Sequence, residues 1–391
     1  MPVPNRLAAM APELTEWRRD LHAHPELGLE EHRTSEVVAA KLAEWGIAVH
    51  RGLARTGIVG TLKVGNGTRA IGIRADMDAL AMEEANDFPH RSQNPGRMHA
   101  CGHDGHTTML LGAAKYLAET RNFDGTVHFI FQPAEEGLGG GRIMVEEGLF
   151  DLFPCDRVFG AHNDYQMPVG EMAVAEGAVS AASDRFTITI TGKGGHAARP
   201  HHAIDPVLIG SHLVLALQSI VSRGIDPADP AVVSITQFHA GSTGNVIPED
   251  AMLNGTVRTR NPEVQDLIGR RMSEIAQSVA AAFGATVKVD YRRGYPPVIN
   301  APDATEAAAR AAEALLGEGK VHRTLPVRMG GEDFSYMAQK VPGCFVRVGQ
   351  RGKDGAGSVP VHHPRYDFND EILPIGAAFW AQLVEQELPR R

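Results

Sequence analysis

The segment Met98-His99-Ala100-Cys101-Gly102-His103-Asp104-Gly105-His106 places one thiol, three imidazoles and one carboxylate within nine residues. The acidic pair Glu135-Glu136 follows further along the chain. A soft thiolate beside imidazole and carboxylate donors suits zinc or a neighbouring first-row metal. A further carboxylate left off the metal is what an activated water needs as a base. The pattern therefore predicts a metal-dependent hydrolase. Not every polar residue in it reads as a ligand. His106 lies one helical turn beyond His103 and reads as a supporting residue, and His99 is open between the two roles. Cys155 and Cys344 stand alone and read as small buried hydrophobes.

Such a site needs elements to hold it. Apolar spacing predicts helices over residues 7–24 and 34–45, the second stopped by Gly46. Apolar runs at 58–64 and 70–75 flank Gly65-Asn66-Gly67, which predicts a hairpin. The second run ends at Asp76-Met77-Asp78. Asp104 reads as the cap of a helix running to Leu117, and a strand over 127–131 leads to Glu135-Glu136. A strand over 157–161 delivers His162. In an open α/β sheet chemistry collects at the carboxyl ends of strands, and three such ends here carry acidic residues or histidine. From about residue 184 the pattern changes: strand 186–190, helix 206–221, strands 232–238 and 252–258, helix 263–283, strand 286–291. This is the β-α-β-β-α-β order of a ferredoxin-like unit, and it predicts an inserted domain over 184–292 within a discontinuous domain of 1–183 and 293–391. The alanine-rich 307–316 reads as a helix ended by Gly317.

Composition limits the alternatives. A chain of 391 residues is long enough for two domains. Its 43% hydrophobic and 22% charged residues are those of a globular protein. A formal net charge of -9 without a Lys/Arg run predicts no nucleic-acid partner and no anionic membrane surface. No signal-peptide core follows Met1, and no run reaches the roughly 18 apolar residues of a membrane span, which predicts a cytoplasmic protein. Three well-separated cysteines predict no disulfide framework. There is no Gly-x-Ser-x-Gly elbow, and the glycines from Gly137 to Gly141 lack a following Gly-Lys-Ser/Thr; serine-hydrolase and phosphate-loop readings fall away.

Six motifs in order, Asp76-Met77-Asp78-Ala79-Leu80, His99-Ala100-Cys101-Gly102-His103-Asp104, Gln132-Pro133-Ala134-Glu135-Glu136-Gly137, Gly194-Gly195-His196-Ala197, Asn245-Val246-Ile247-Pro248 and Gly331-Glu332-Asp333-Phe334, span nearly the whole chain. Together they resemble the aminoacylase/carboxypeptidase metallohydrolases, and within them the hippurate hydrolase and auxin-conjugate amidohydrolase branch. The resemblance implies an α/β, di-metal, aminopeptidase-like catalytic domain carrying an inserted ferredoxin-like α+β dimerisation (lid) domain. It implies that Cys101, His103, Glu136, His162 and His362 bind two divalent ions of zinc, manganese, cobalt or nickel. His363 stands beside His362, so the last ligand is open between them. Glu135 matches the general base, taking a proton from a metal-activated water and passing it to the leaving amine. Asp78 matches the residue that orients a ligand imidazole, or else caps a turn. His196 matches a residue that enters the partner subunit's site and stabilises the oxyanion, which implies a homodimer or a tetramer built from it. Asn245 and Arg258 match positions near the substrate, a guanidinium suiting the carboxylate of an N-acyl amino acid; Arg258 could instead be a surface ion pair. The implied reaction is hydrolysis of the amide of a small-molecule N-acyl amino acid. The runners-up are a metallo-carboxypeptidase or dipeptidase acting on peptides or aminobenzoyl-glutamate, and a catalytically idle metal-binding scaffold. Two departures from the branch, Ala81 in place of proline and Asn163-Asp164-Tyr165-Gln166 after His162, leave the acyl group open.

Overall fold

The computed structural model describes residues 4–326 and 328–390. Two compact units make up the chain. The larger is drawn from three stretches: up to Val179, Ile299–Pro326, and from Asp333 onward. The smaller is built on Ser180–Val298, with a short return segment ending at Glu332.

An eight-stranded sheet organises the larger unit, in the order Ala48–Leu53, Gly57–Val64, Gly125–Gln132, Ala70–Asp76, Arg157–Pro168, Gly343–Arg351, Met172–Ala173, Val321–His322. Its centre is parallel: Ala70–Asp76 runs alongside both Gly125–Gln132 and Arg157–Pro168, and Gly343–Arg351 alongside Arg157–Pro168. Strands covered on both faces read as continuous apolar runs. Ala70–Asp76 is buried from Ile71 onward, its apolar residues interrupted by Arg74 and ended by Asp76. Helix His103–Thr120 is buried almost all round over its first twelve residues. It packs against Leu373–Glu387 and Ala11–Ala23. Phe129, Phe131, Ile73, Phe159 and Phe379 are among the residues that fill the core. Each contributes roughly 1.5–3 kcal/mol by leaving water.

Three local expectations are corrected. The runs around Gly65-Asn66-Gly67 form no hairpin, because Gly125–Gln132 lies between them in the sheet. The chain instead steps over the start of that strand: the Gly67 N–H donates to Asp124 Oδ1 at 2.6 Å, and the Thr126 N–H to the Arg69 carbonyl at 3.0 Å. The first predicted helix is two, Asn5–Ala9 and Ala11–Ala23. Pro12 has no N–H and its ring clashes with the carbonyl four residues back, so a new helix starts there. Asp104 caps nothing. The cap position is Gly102, with no side-chain bond, and Asp104 turns toward His22.

The smaller unit is a four-stranded antiparallel sheet, Ala231–Ala240, Asp250–Thr259, Ala182–Thr191, Thr286–Tyr295 in spatial order. Helices Pro206–Gly224 and Pro262–Ala282 pack against it, through Ile209, Leu213, Leu217, Ile268 and Met272. Both helices start at a capping side chain followed by proline: Asp205 accepts from the Val207 N–H at 2.8 Å, and Asn261 from the Glu263 N–H at 2.9 Å. Pro206–Gly224 is long and apolar enough, by composition, to cross a membrane. One stripe of this helix nevertheless forms the core of the unit.

Candidate metal centre

Strand ends and tight turns deliver the polar residues of the larger unit. Ala70–Asp76 ends in Asp76 and leads to Asp78. Between Cys101 and His103 the chain turns through Gly102 at φ 94°. A Cβ there would lie 2.6 Å from Asn163 Oδ1 and 2.7 Å from Tyr366 Oη, so only glycine allows this approach. Past Gly125–Gln132, Ala134 adopts φ 58° and its N–H donates to Glu31 Oε1 at 2.8 Å, which sets the turn that presents Glu135 and Glu136. His162 sits within Arg157–Pro168, and its Nδ1 bonds the Asn163 carbonyl at 2.7 Å. His362 has a left-handed φ of 64° and is tied back by its N–H to the Ala100 carbonyl at 2.7 Å.

These turns bring together donor atoms from distant positions. Those of Cys101, His103 and His162 lie within 4.8 Å of one another, as do those of Cys101, Glu136 and His362, and those of His103, Glu135 and Glu136. Cys101, His103 and Glu136 each belong to two of these groups, which links the three groups into one cluster. Its Sγ is 3.3 Å from His162 Nε2, and Glu136 Oε1 is 3.2 Å from His362 Nε2. His363 is engaged elsewhere: its Nδ1 accepts from the Arg365 N–H at 3.0 Å.

Asp78 braces two members of this set. Its carbonyl and Oδ1 lie 2.9 and 3.2 Å from His103 Nδ1, and its Oδ2 accepts from the Glu136 N–H at 2.9 Å. A carboxylate on Nδ1 leaves Nε2 as the ligating nitrogen. His103 Nε2 is buried and makes no hydrogen bond among the described residues. Burial, and then the Glu136 carboxylate, push the Cys101 thiol well up. Burial, and then the Arg347 guanidinium, hold His162 well below its usual range, hence neutral. A neutral His162, a buried His103 Nε2 with no hydrogen bond among the described residues and a thiol among carboxylates fit a divalent cation, whose charge would favour the thiolate.

A buried polar layer not singled out from the sequence supports the turns. Arg74 donates to Gln132 Oε1 at 2.8 Å, Asp76 Oδ2 at 2.8 Å and Asp333 Oδ1 at 2.9 Å. Gln132 Nε2 and the Gly141 N–H also donate to Asp333. This ties the ends of two central strands to the start of the helix after Glu135-Glu136. The motif positions of Gln132 and Asp333 were the only signal. His106 is saturated, with Nδ1 2.6 Å from Asp76 Oδ1 and Nε2 2.8 Å from Asn163 Oδ1. His99 is buried with neither ring nitrogen hydrogen-bonded among the described residues, and burial pushes it down to about 4.

His196, Asn245 and Arg258 belong to the smaller unit. His196 and Asn245 line a cleft of about 480 Å³ with Gly194, Val246, Pro248 and Glu249. His196 is exposed, and its Nδ1 accepts from the Ala198 N–H at 3.1 Å. Arg258 is outside the lining of that cleft and bonds the Val257 carbonyl at 3.1 Å and Thr256 Oγ1. Desolvation pulls its guanidinium down.

Residues 72–386 match the model of peptidase family M20/M25/M40. The hippurate hydrolase of Campylobacter jejuni is 41% identical over 377 residues, covering 95% of each chain. The N-acetylcysteine deacetylase of Bacillus subtilis is 40% identical over 372 residues, again 95% of each. Among solved structures, a dinuclear metal binding peptidase of the M20 family from Bacillus subtilis superposes with a TM-score of 0.85 at 35% identity, covering 97% of this chain and 99% of that one.

Proposed function

The chain belongs to peptidase family M20/M25/M40 and is a hydrolase of amide bonds, and from that premise we propose that it removes the acyl group from N-acyl amino acids such as hippurate. The observation that carries this reading is the clustering of Cys101, His103, His162, Glu136 and His362 with Glu135 at the edge of the set. Two divalent ions, when bound there, supply an acidified water and a polarised amide carbonyl.

The protein side of the reaction falls to Glu135. Its carboxylate takes the proton of the attacking water and returns it to the departing amine, so that an amino acid leaves as a neutral amine. Glu136 is braced through its backbone by Asp78 and serves as ligand, which frees Glu135 to shuttle the proton. Asp78 fixes the tautomer of His103. His196 supplies a donor toward the developing oxyanion of the other copy in a homodimer, and Asn245 and Arg258 hold the substrate carboxylate.

The dimer reading draws support from the smaller unit. Leu208 and Leu215 of helix Pro206–Gly224 are 49% and 72% exposed, and the neighbouring strand Ala231–Ala240 is the edge of its sheet. An open edge beside an apolar helix face is a ready template for a second copy. Three free thiols, Cys101, Cys155 and Cys344, suit the cytoplasm.

The experiment is release of glycine from hippurate with added manganese or zinc, and in parallel after chelation. Turnover that chelation removes and metal restores is the expected result. Turnover unaffected by chelation, or none with any metal, overturns the reading.

A further inference from the structure

A group of buried charges lies behind the metal centre and plays no part in the proton transfers above. Arg18 and His22 are one turn apart on helix Ala11–Ala23, so they share a face. Both are buried. His22 Nδ1 is 2.8 Å from Asp104 Oδ2, and its Nε2 is 3.2 Å from Glu84 Oε1. A ring between two carboxylates carries a proton on each nitrogen. Arg18 Nη1 is 3.7 Å from the same Asp104 oxygen and donates to Asp367 at 3.0 Å; its Nε donates to Asp370 at 2.7 Å.

The anions held by these two cations belong to two separate segments. Asp104 directly follows His103 in the first turn of its helix. Asp367 and Asp370 follow His362. Glu84 reaches the same later segment indirectly: it accepts from Asn86 Nδ2 at 2.9 Å, and Asn86 Nδ2 also donates to the Tyr366 carbonyl, while the Ala85 N–H donates to the Pro364 carbonyl at 2.8 Å.

Building on the metal-site reading above, we infer that Arg18 and His22 are positioning residues for the metal centre, fastening the turn of Cys101 and His103 to the segment of His362. Neither touches a ligand atom. They fix the distance between two ligand-bearing segments far apart in sequence, and the donor group of Cys101, Glu136 and His362 is sensitive to that distance because it draws on both.

The test compares metal binding in the full-length protein and in His22→Gln, Arg18→Lys and Asp367→Asn. Removing a buried cation risks unfolding. Asp367 is partly exposed, so its neutralisation loosens the link and leaves Arg18 paired with Asp370 and Asp104. Zinc and manganese are titrated against a chromophoric chelator, with bound ions counted and circular dichroism recorded. The expected result is native circular dichroism with affinity for the second ion weakened on the order of 10–100-fold, and hydrolysis recovering as metal is raised. Wild-type affinity for both ions in folded Asp367→Asn and Arg18→Lys proteins overturns the positioning role while the hydrolase reading stands. A wild-type protein that binds no metal overturns both.

Discussion

Asp78 gives one oxygen to the His103 ring and the other to the Glu136 backbone, so a single carboxylate sets the aim of two candidate ligands. Asp78→Ala should lower metal affinity by about 10–100-fold, read by competition with a chelator, with a smaller loss of activity at saturating metal. Glu135 is a different case. Glu135→Ala should reduce kcat by roughly 10²–10⁴-fold, the usual worth of general acid–base catalysis, with metal content near wild type by elemental analysis. Turnover unchanged by that substitution would remove Glu135 from the proton path. The ligand candidates are legible from the sequence because thiols, imidazoles and paired acids are rare and sit in recognisable motifs. Arg74, Gln132 and Asp333 are legible only as motif positions: Arg74 and Asp333 are 259 residues apart, and no local pattern announces their contact.

At the scale of elements, the Cys101–His103 turn depends on Gly102. Gly102→Ala would place a methyl against Asn163 and Tyr366 in a backbone conformation that side chains rarely adopt. A loss of about 1–3 kcal/mol from the backbone alone is expected in chemical denaturation, with the clash adding to it. Helix Ala11–Ala23 predicts a pH effect. The two carboxylates outweigh burial and push His22 up to about 9, from an ordinary 6.5. A raised pKa stabilises the fold fully below the unfolded value. That stability, roughly 3 kcal/mol, is lost as pH rises from about 6.5 through about 9. The melting temperature should fall across that window, and the fall should be blunted in His22→Gln. Element types were legible from periodicity, whereas strand partners were not. Gly65-Asn66-Gly67 has the chemistry of a hairpin turn, yet both neighbours of its strands are chosen by burial across the sheet. Asp104 has the chemistry of a cap, yet its partner His22 lies 82 positions away.

For the whole molecule, the α/β class follows from strands and helices in alternation, and the order of the smaller unit from two β-α-β halves. Their assembly into copies is a separate matter. Leu215→Glu puts a charge on the most exposed large apolar side chain among the described residues, and on the proposed dimer sedimentation should show a shift toward monomer. Mixing His196→Ala with Glu135→Ala proteins should restore part of the activity; none after verified subunit exchange would count against a shared site. The sheet order also bears on synthesis. Gly343–Arg351 is the interior neighbour of Arg157–Pro168, yet it starts about 175 residues after that strand ends (343 against 168), roughly 9–35 seconds at ribosomal speeds of roughly 5–20 residues per second. Until then the nascent sheet stops at a bare parallel edge with His162 on it and His362 still unmade. The cluster of candidate ligands therefore cannot be completed until the last of the sheet's central strands and the segment of His362 after it have been made.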